Sequence, residues 1–366
     1  MIIESLKLRN FRNYQNCEIK LSPAINVFVG DNAQGKTNLL ESIAFISATR
    51  SFRTNNDQDL ILKDSERAQI FCVIKENESA LQLFAQIFKA GKSLAIQKQM
   101  VKKASEFIGV LNAVVFVPDD LQLFDGAPRL RRKLCDLEIG KINREYMIKL
   151  NLYQKTLKER NNFLKTNVVD DTYLAVLTQQ LIQNQLYLIK ERQAFIDELN
   201  QRITIAYQKI AGKEDAIKIV YLKPVEEMVD IETILAKRYQ QYLLRDKQQK
   251  QTLVGIHKDD LVFYINDDVV ANFASQGQKR MIVLALKIAL INYIYDKKQT
   301  YPVLLLDDVL SELDGKRRKA LLLALPLQAQ TIITTTDIED IKTFLPTKTR
   351  LFHINQGKII DMKEMV

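Results

Sequence analysis

A lysine and a threonine stand side by side at the end of Gly30-Asp31-Asn32-Ala33-Gln34-Gly35-Lys36-Thr37, a segment with the spacing G-x-x-x-x-G-K-[ST]. Glycine at such positions lets the backbone adopt positive φ and approach a ligand closely, so that successive N–H groups turn inward around an anion. A helix starting behind the loop adds the positive end of its dipole. In this pattern Lys36 reaches the β- and γ-phosphates of a nucleotide, and the Thr37 hydroxyl ligates Mg²⁺. Gly30, Asp31, Asn32, Ala33, Gln34, Gly35, Lys36 and Thr37 are therefore candidate contacts to ATP. A glycine turn with a surface lysine is the plainer alternative, but the flanks argue against it. The β-branched run Ile25 to Val29 precedes the loop, and a helix-compatible run from Asn38 to Ile46 follows.

Val303-Leu304-Leu305-Leu306-Asp307-Asp308 is an apolar run ending in two carboxylates. Buried strands commonly end in polar turns, so this string alone says little. Beside a phosphate loop it acquires chemistry: Asp307 near Mg²⁺, and Asp308 placed to orient or deprotonate an attacking water. Adjacent carboxylates repel, and a cation removes that repulsion. Ser275-Gln276-Gly277-Gln278 opens a long apolar helix, with Ser275 able to cap it and Gly277 able to admit another backbone near the anion-attracting end. Taken alone it is an ordinary cap. Ser311-Glu312-Leu313-Asp314 follows the paired carboxylates, and Thr334-Thr335-Thr336-Asp337 closes the next strand.

These groups need a scaffold. Ile2 to Asn10 alternates apolar and polar, and Gln69 to Lys75, Leu81 to Phe88 and Ser93 to Gln97 repeat that strand texture. Val114 to Val117, Ala329 to Thr334 and Arg350 to Ile354 read as further strands, with a hairpin through Asn266-Asp267-Asp268. After Arg129 the chain turns to long Gly-poor stretches. Tyr146, Leu150, Tyr153 and Leu157 step at helical spacing, as do Leu174, Leu181, Leu188 and Phe195, joined by Leu177, Leu199, Ile203, Ala206 and Ile210. Two long amphipathic helices with a polar turn near Asn167 to Thr172 are expected, packing as a hairpin rather than as a free coiled coil. The fold class expected is α/β, a P-loop head with an antiparallel β subdomain. Residues 1–118 and 253–366 would form a discontinuous head, and 119–252 a mostly helical inserted domain.

The chain has 366 residues, 47% hydrophobic and 27% charged, which suits a globular protein with a real core. The net charge is +9, and residues 129–250 carry 23 basic against 16 acidic side chains. An excess of that kind favours a polyanionic partner such as DNA, though a solvated charged surface has the same composition. The most apolar stretch, Met281 to Ile291, is interrupted by Lys287, so no membrane span is expected. The N-terminus lacks a signal-peptide pattern, and Cys17, Cys72 and Cys135 fit no disulfide or zinc spacing. A cytoplasmic location is expected.

With these motifs placed, the chain resembles the RecF family, whose ABC-type ATPase heads are similar to those of SMC proteins. The resemblance runs nearly end to end: Leu8-Arg9-Asn10-Phe11-Arg12-Asn13-Tyr14, Gly30 to Thr37, Arg50-Ser51-Phe52-Arg53, Phe116-Val117-Pro118-Asp119-Asp120-Leu121, Pro128 through Arg131-Arg132, Gly255 to Leu261, Ser275 to Arg280, and Leu304 through Asp314. It implies that Ser275, Gln276, Gly277 and Gln278 form a signature motif gripping the γ-phosphate held by an opposite subunit. It also implies that Asp314 closes a D-loop and that Thr336 stands where a switch histidine is usual. Where the family commonly has Gly-Pro-His-Arg-Asp-Asp, this chain has Gly255-Ile256-His257-Lys258-Asp259-Asp260. A lone His257 is more often a hydrogen-bonded structural residue than a catalyst.

The resemblance further implies an ATP-dependent homodimer with weak ATPase activity, Lys36 and Asp308 serving catalysis, and Thr37 and Asp307 holding Mg²⁺. It implies binding to single-stranded, gapped or junction DNA in recombinational gap repair, replication restart and the SOS response. RecR and RecO are the implied partners, and the location would be nucleoid-associated. Three other readings compete. A transporter ATPase subunit sits poorly with the basic insertion. An SMC-type arm needs far more than the ~60 Å that about 40 helical residues span. A nucleotide-regulated scaffold that never hydrolyses ATP would leave the paired carboxylates without a task.

Overall fold

The computed structural model describes residues 1–76, 79–166, 170–225, 227–342, 345–346 and 348–365. The chain divides into two compact units: residues 1–121, 202–215 and 280–366 in the first, 122–201 and 216–279 in the second. This division differs from a head of 1–118 and 253–366: residues 253–279 cluster with the inserted helices, and 202–215 with the head. The strand Asp260–Ile265 explains the first difference, since it pairs along its whole length with Ile217–Leu222 of the insertion.

Two six-stranded sheets build the first unit. In one, the order is Lys358–Glu364, Arg350–Asn355, Ile25–Val29, Thr331–Thr335, Val303–Asp307 and Ala113–Phe116. Its last five strands run parallel, and Lys358–Glu364 closes one edge antiparallel. All residues of Val303–Asp307 and Thr331–Thr335 are buried, which is why these strands read as unbroken runs rather than as alternation. The other sheet is antiparallel, ordered Tyr14–Lys20, Ile2–Phe11, Arg67–Glu76, Ser79–Phe88, Gly91–Ile96 and Gln99–Met100. Strand alternation here is faithful: Leu6, Leu8, Ile70, Cys72, Leu83, Ala85 and Ile87 are buried in one core with Leu39, Leu40, Ile43 and Phe45 of the helix Lys36–Ala48. That helix contacts strands of both sheets, so the layers share one apolar core around it.

From Arg280 onward the helix Gln276–Lys298 belongs to the first unit. Lys287, the charge within its apolar run, is buried and ion-paired to Asp120 at 2.7 Å. Asp120 also accepts the N–H of Val117, fixing the turn after Ala113–Phe116. A lysine thus survives in an apolar face because its charge is matched.

The second unit packs Pro128–Ile142, Arg144–Phe163, the first part of Asp171–Ala211 and Ile231–Gln249 with a small sheet of Ile217–Leu222, Asp260–Ile265 and Asp268–Val269. Both expected long helices are present, and Leu174, Leu181, Leu188 and Phe195 are buried as their period requires. The turn between them lies partly outside the described residues. Leu157 is only half-buried, and the fully buried neighbour is Arg160, whose guanidinium reaches Asp246 and Thr252 at 2.7 Å each and Thr178 at 3.0 Å. A polar group at this depth is tolerable only because partners from distant segments meet it.

The Gly255–Asp260 segment ties this unit together. His257 accepts from the Tyr153 hydroxyl at Nδ1 (2.7 Å) and donates from Nε2 to the Thr252 carbonyl (2.9 Å). Burial pushes its imidazole down to about 4, so it is a neutral structural residue. Gly255 has φ 127, and a Cβ there would meet the Tyr153 hydroxyl at 2.4 Å. Asp259 accepts from Arg192 at 3.0 Å and from the Tyr221 hydroxyl, and Arg131 grips Asp260 with two nitrogens at 2.6 and 2.9 Å.

Candidate functional site

The strand Ile25–Val29 delivers the chain to Gly30, and the helix Lys36–Ala48 begins at the far side of the loop with Gly35 as its N-cap at φ 115. Both glycines are required by close neighbours. A Cβ on Gly35 would lie 2.7 Å from Asn13 Nδ2 and 3.1 Å from the Tyr14 hydroxyl, and one on Gly30 would lie 2.4 Å from the Ile354 carbonyl oxygen. The loop is braced from both sides. Asn13 Nδ2 donates to the Gln34 carbonyl at 3.1 Å, Tyr14 donates to the Gly35 carbonyl at 3.0 Å, and the backbone N–H groups of Gly357 and Gln356 donate to Gln34 at 2.9 and 2.8 Å. Asp31, Asn32 and Ala33 are exposed along the rim, and Ala33 takes φ 64.

The Lys36 ammonium is folded back onto the carbonyls of Gly30 (2.6 Å) and Asp31 (2.9 Å), curling inside its own loop. Burial pulls its pKa below the ordinary lysine value, and Asp308, Asp307 and Asp31 oppose that pull. The Thr37 hydroxyl donates to Asp307 Oδ1 at 2.8 Å, joining two residues separated by 270 positions. Asp307 closes the strand Val303–Asp307, and Asp308 follows it with φ 53. Burial raises the Asp307 carboxyl above the ordinary range, while hydroxyl donation from Thr37 and Thr334 and the charge of Arg53 hold it down. Asp308 Oδ1 is buried with no hydrogen-bond partner among the described residues.

Thr334 is the residue that sequence reasoning passed over. Its buried hydroxyl donates to Asp307 Oδ1 and accepts the Asp308 N–H, both at 2.9 Å, so it orients the Asp307 carboxylate and fixes the backbone that carries Asp308. Thr336, expected at a switch position, is exposed beyond the strand end. No local sequence signal separates the two: the parallel register of Thr331–Thr335 sets Thr334 opposite Asp307. A second network was also missed. Fully buried Glu41 binds Arg12 through both oxygens (2.7 and 2.8 Å) and accepts from Ser51, and Arg53 reaches Asn38 at 2.8 Å on the same helix face. Arg12, Ser51 and Arg53 lie within segments on which the family resemblance rests, but no spacing rule marked them.

Asp314, the end of the expected D-loop, caps the helix Gly315–Ala324 by accepting the Arg317 N–H at 2.9 Å, and it is exposed. Glu312 in the same loop pairs with Arg280 at 3.4 Å, and Ser311 donates to the Asp308 carbonyl at 2.6 Å. In the second unit, Ser275 is exposed and forms a reciprocal cap. Its Oγ accepts the Gln278 N–H at 3.3 Å, while Gln278 Oε1 accepts the Ser275 N–H at 2.9 Å. Gln276 is exposed beside it and Gly277 is half-buried.

Lys36, Thr37, Asp307, Asp308 and Thr334 thus form one constellation in the first unit. The donor set suits a triphosphate with a hard divalent cation. It offers a hydroxyl and a carboxylate already in contact, a second carboxylate with an unused oxygen, and an ammonium at the mouth of a turn of backbone N–H groups. Among the described residues no cluster of three or more His, Cys, Asp or Glu could hold a metal ion unaided.

A family model described as the RecF/RecN/SMC N-terminal domain matches residues 2–359. The chain is 39% identical over 369 residues to the DNA replication and repair protein RecF of Lactobacillus johnsonii, with 98% of this chain and 99% of that protein covered. It is 38% identical over 362 residues to the RecF of Streptococcus gordonii, with 98% and 100% covered. Among solved structures it superposes with a TM-score of 0.90 on the recombination mediator protein RecF with ATP, at 28% identity over 100% of this chain and 97% of that one. An SMC head bound to the C-terminal winged-helix domain of ScpA matches with a TM-score of 0.58 at 15% identity, a likeness of fold alone.

Proposed function

This chain belongs to the RecF family, and from that membership we propose that it is an ATP-gated DNA-binding homodimer with slow ATPase activity, acting in recombinational gap repair. The observation that carries the reading is the Thr37–Asp307–Thr334 contact with Asp308 beside it, because that grouping serves phosphoryl transfer and has no evident packing purpose. Bound Mg²⁺ would neutralise phosphate charge. Lys36, now on its two loop carbonyls, would turn to the phosphate oxygens, and Thr37 and Asp307 would hold the cation. Asp308, with one oxygen unused, orients the attacking water and takes its proton. The loop N–H groups hold the phosphates in place.

Ser275 and the N-terminus of Gln276–Lys298 serve the nucleotide of a second copy. Ser275 is exposed and opens a helix longer than twenty residues; the reciprocal cap takes the Ser275 and Gln278 N–H groups, so an anion there would meet the Ser275 hydroxyl and the N–H groups of Gln276 and Gly277. ATP would join two copies, and hydrolysis would release them by removing the γ-phosphate contacts. The basic balance of residues 129–250 supports a DNA partner, gapped or single-stranded, and the RecFOR setting of the superposing RecF supports RecR and RecO as partners. The family and the expected partners favour a place at the nucleoid in the cytoplasm. Among the described residues no helix is long and apolar enough to cross a membrane.

Sedimentation with ATP, ADP or neither, with and without gapped duplex, tests the dimer and its coupling to DNA together. Ser275→Arg is expected to bind ATP as a monomer and fail to dimerise. Normal ATP-driven dimerisation of that variant would refute the cross-subunit assignment.

A further inference from the structure

The antiparallel sheet of the first unit buries Leu6 and Leu8 of the Ile2–Phe11 strand in the core and leaves Lys7 and Arg9 exposed on the opposite face. Across that outer face the strand register lines up Lys7 with Phe71, Phe71 with Phe84, Phe84 with Ala95, and Ala95 with Met100. One row therefore carries a base, two aromatic rings and a thioether across five strands. The Phe71 and Phe84 rings lie 4.5 Å apart at 35°, Phe71 is 41% exposed and Met100 60%. The adjoining row is Arg9, Gln69, Gln86 and Ser93. On the other side of that row Arg67 stands opposite Phe88.

A cross-strand phenylalanine pair does steady a sheet, and that is the plain explanation of the contact. It does not explain why the pair is on the wet face. The inner face already supplies a complete apolar core, and Phe71, exposed beside the half-buried Phe84, leaves an aromatic surface that invites association unless something occupies it. The surroundings select the occupant. Lys7, Arg9 and Arg67 bring positive charge, and the acid opposite Lys7 is Glu18, paired with it at 3.0 Å. Gln69 and Gln86 place amides, able both to donate and to accept, beside the rings. Aromatic faces, flanking cations and adaptable amides on an open sheet are what an unpaired nucleotide strand uses: bases stack, phosphates meet the cations, and base edges meet the amides. A duplex keeps its bases stacked inside and cannot use the rings.

We propose that this outer sheet face, centred on Phe71 and Phe84, is a stacking platform for single-stranded nucleic acid. It rests on the DNA-binding reading above and deepens it by assigning a surface and a strand state. The full-length protein is titrated with fluorescently labelled oligo-dT and with duplex of equal length. The double substitution Phe71→Ala with Phe84→Ala is expected to weaken oligo-dT binding on the order of tenfold while leaving duplex binding nearly unchanged. Phe71→Tyr with Phe84→Tyr keeps the rings and is expected to retain both. Urea unfolding confirms that each variant is folded. Unchanged oligo-dT affinity in the folded alanine variant, or equal loss in the tyrosine variant, would overturn the platform. Wild-type protein that binds neither probe would overturn the DNA-binding reading itself, so the two failures are distinguishable.

Discussion

Replacing Thr334 by valine changes almost no volume and removes one hydroxyl from the centre of the site. That hydroxyl serves two partners at 2.9 Å, donating to Asp307 Oδ1 and accepting the Asp308 N–H. The Thr334 and Asp307 side chains are buried, so water cannot easily replace the bond between them, and the bond from the Asp308 N–H is part-buried. A buried N–H left unpaired costs about 1–3 kcal/mol, and a hydrogen bond to a charged group contributes about 1.5–3 kcal/mol. Allowing for partial relaxation, Thr334→Val should destabilise the first unit by about 3 kcal/mol, roughly a hundredfold in the folding equilibrium. Thr334→Ser retains the hydroxyl and should recover most of that loss. Urea unfolding at neutral pH, followed by circular dichroism, measures both variants. The loss should be largest where Asp307 is ionised and shrink in acid, because Thr37 and Thr334 act to hold down a carboxyl that burial raises. The reasoning fails if valine and serine variants are equally stable, or if the valine penalty is the same at acid and neutral pH.

Lys36→Met should abolish detectable ATP binding in equilibrium dialysis, whereas Asp308→Asn should bind ATP normally and lose about 10²–10⁴-fold in turnover, trapping the dimer. Equal binding defects in the two variants would contradict their separate roles. Asp259 in the second unit is raised to about 7, chiefly by burial, with Arg192 and the Tyr221 hydroxyl opposing it. Its folded pKa lies above its unfolded value near 4, so its stabilising contribution is full below about pH 4 and is lost as pH rises through about 7. Relative to Asp259→Asn, the wild type should lose up to about 1.4 kcal/mol of stability per pH unit across that window. Parallel stability curves for the two proteins would show that Asp259 does not titrate there.

Much of the scaffold was legible locally. The alternation of Ile2 to Asn10 and Gln69 to Lys75, the apolar run from Val303, and the helical stripe through Leu174, Leu181 and Leu188 are each set by short-range periodicity, and they fold as strands and helix accordingly, although a register shift between Ile3 and Ser5 breaks strict alternation in the first. Element membership was less legible. The strand Asp260–Ile265 was assigned to the head by its place in the chain, but its backbone hydrogen bonds go to Ile217–Leu222. Strand pairing depends on which edge is available in space, and no local pattern records that.

The chemistry divides along the same line. The amino-acid sequence by itself determined the phosphate loop, the paired carboxylates and the serine cap, because glycine conformation, helix dipoles and caps act over a few covalently adjacent residues. Tertiary structure alone decided that Thr37 meets Asp307, that Thr334 holds the Asp307 carboxylate and the Asp308 N–H, that Arg160 is buried among Asp246, Thr252 and Thr178, and that the Phe71 and Phe84 rings meet across neighbouring strands. Each of these joins residues far apart in the chain or chooses between neighbouring ones. The choice is made by sheet register and by the need of buried polar groups for partners, and both are properties of the packed chain.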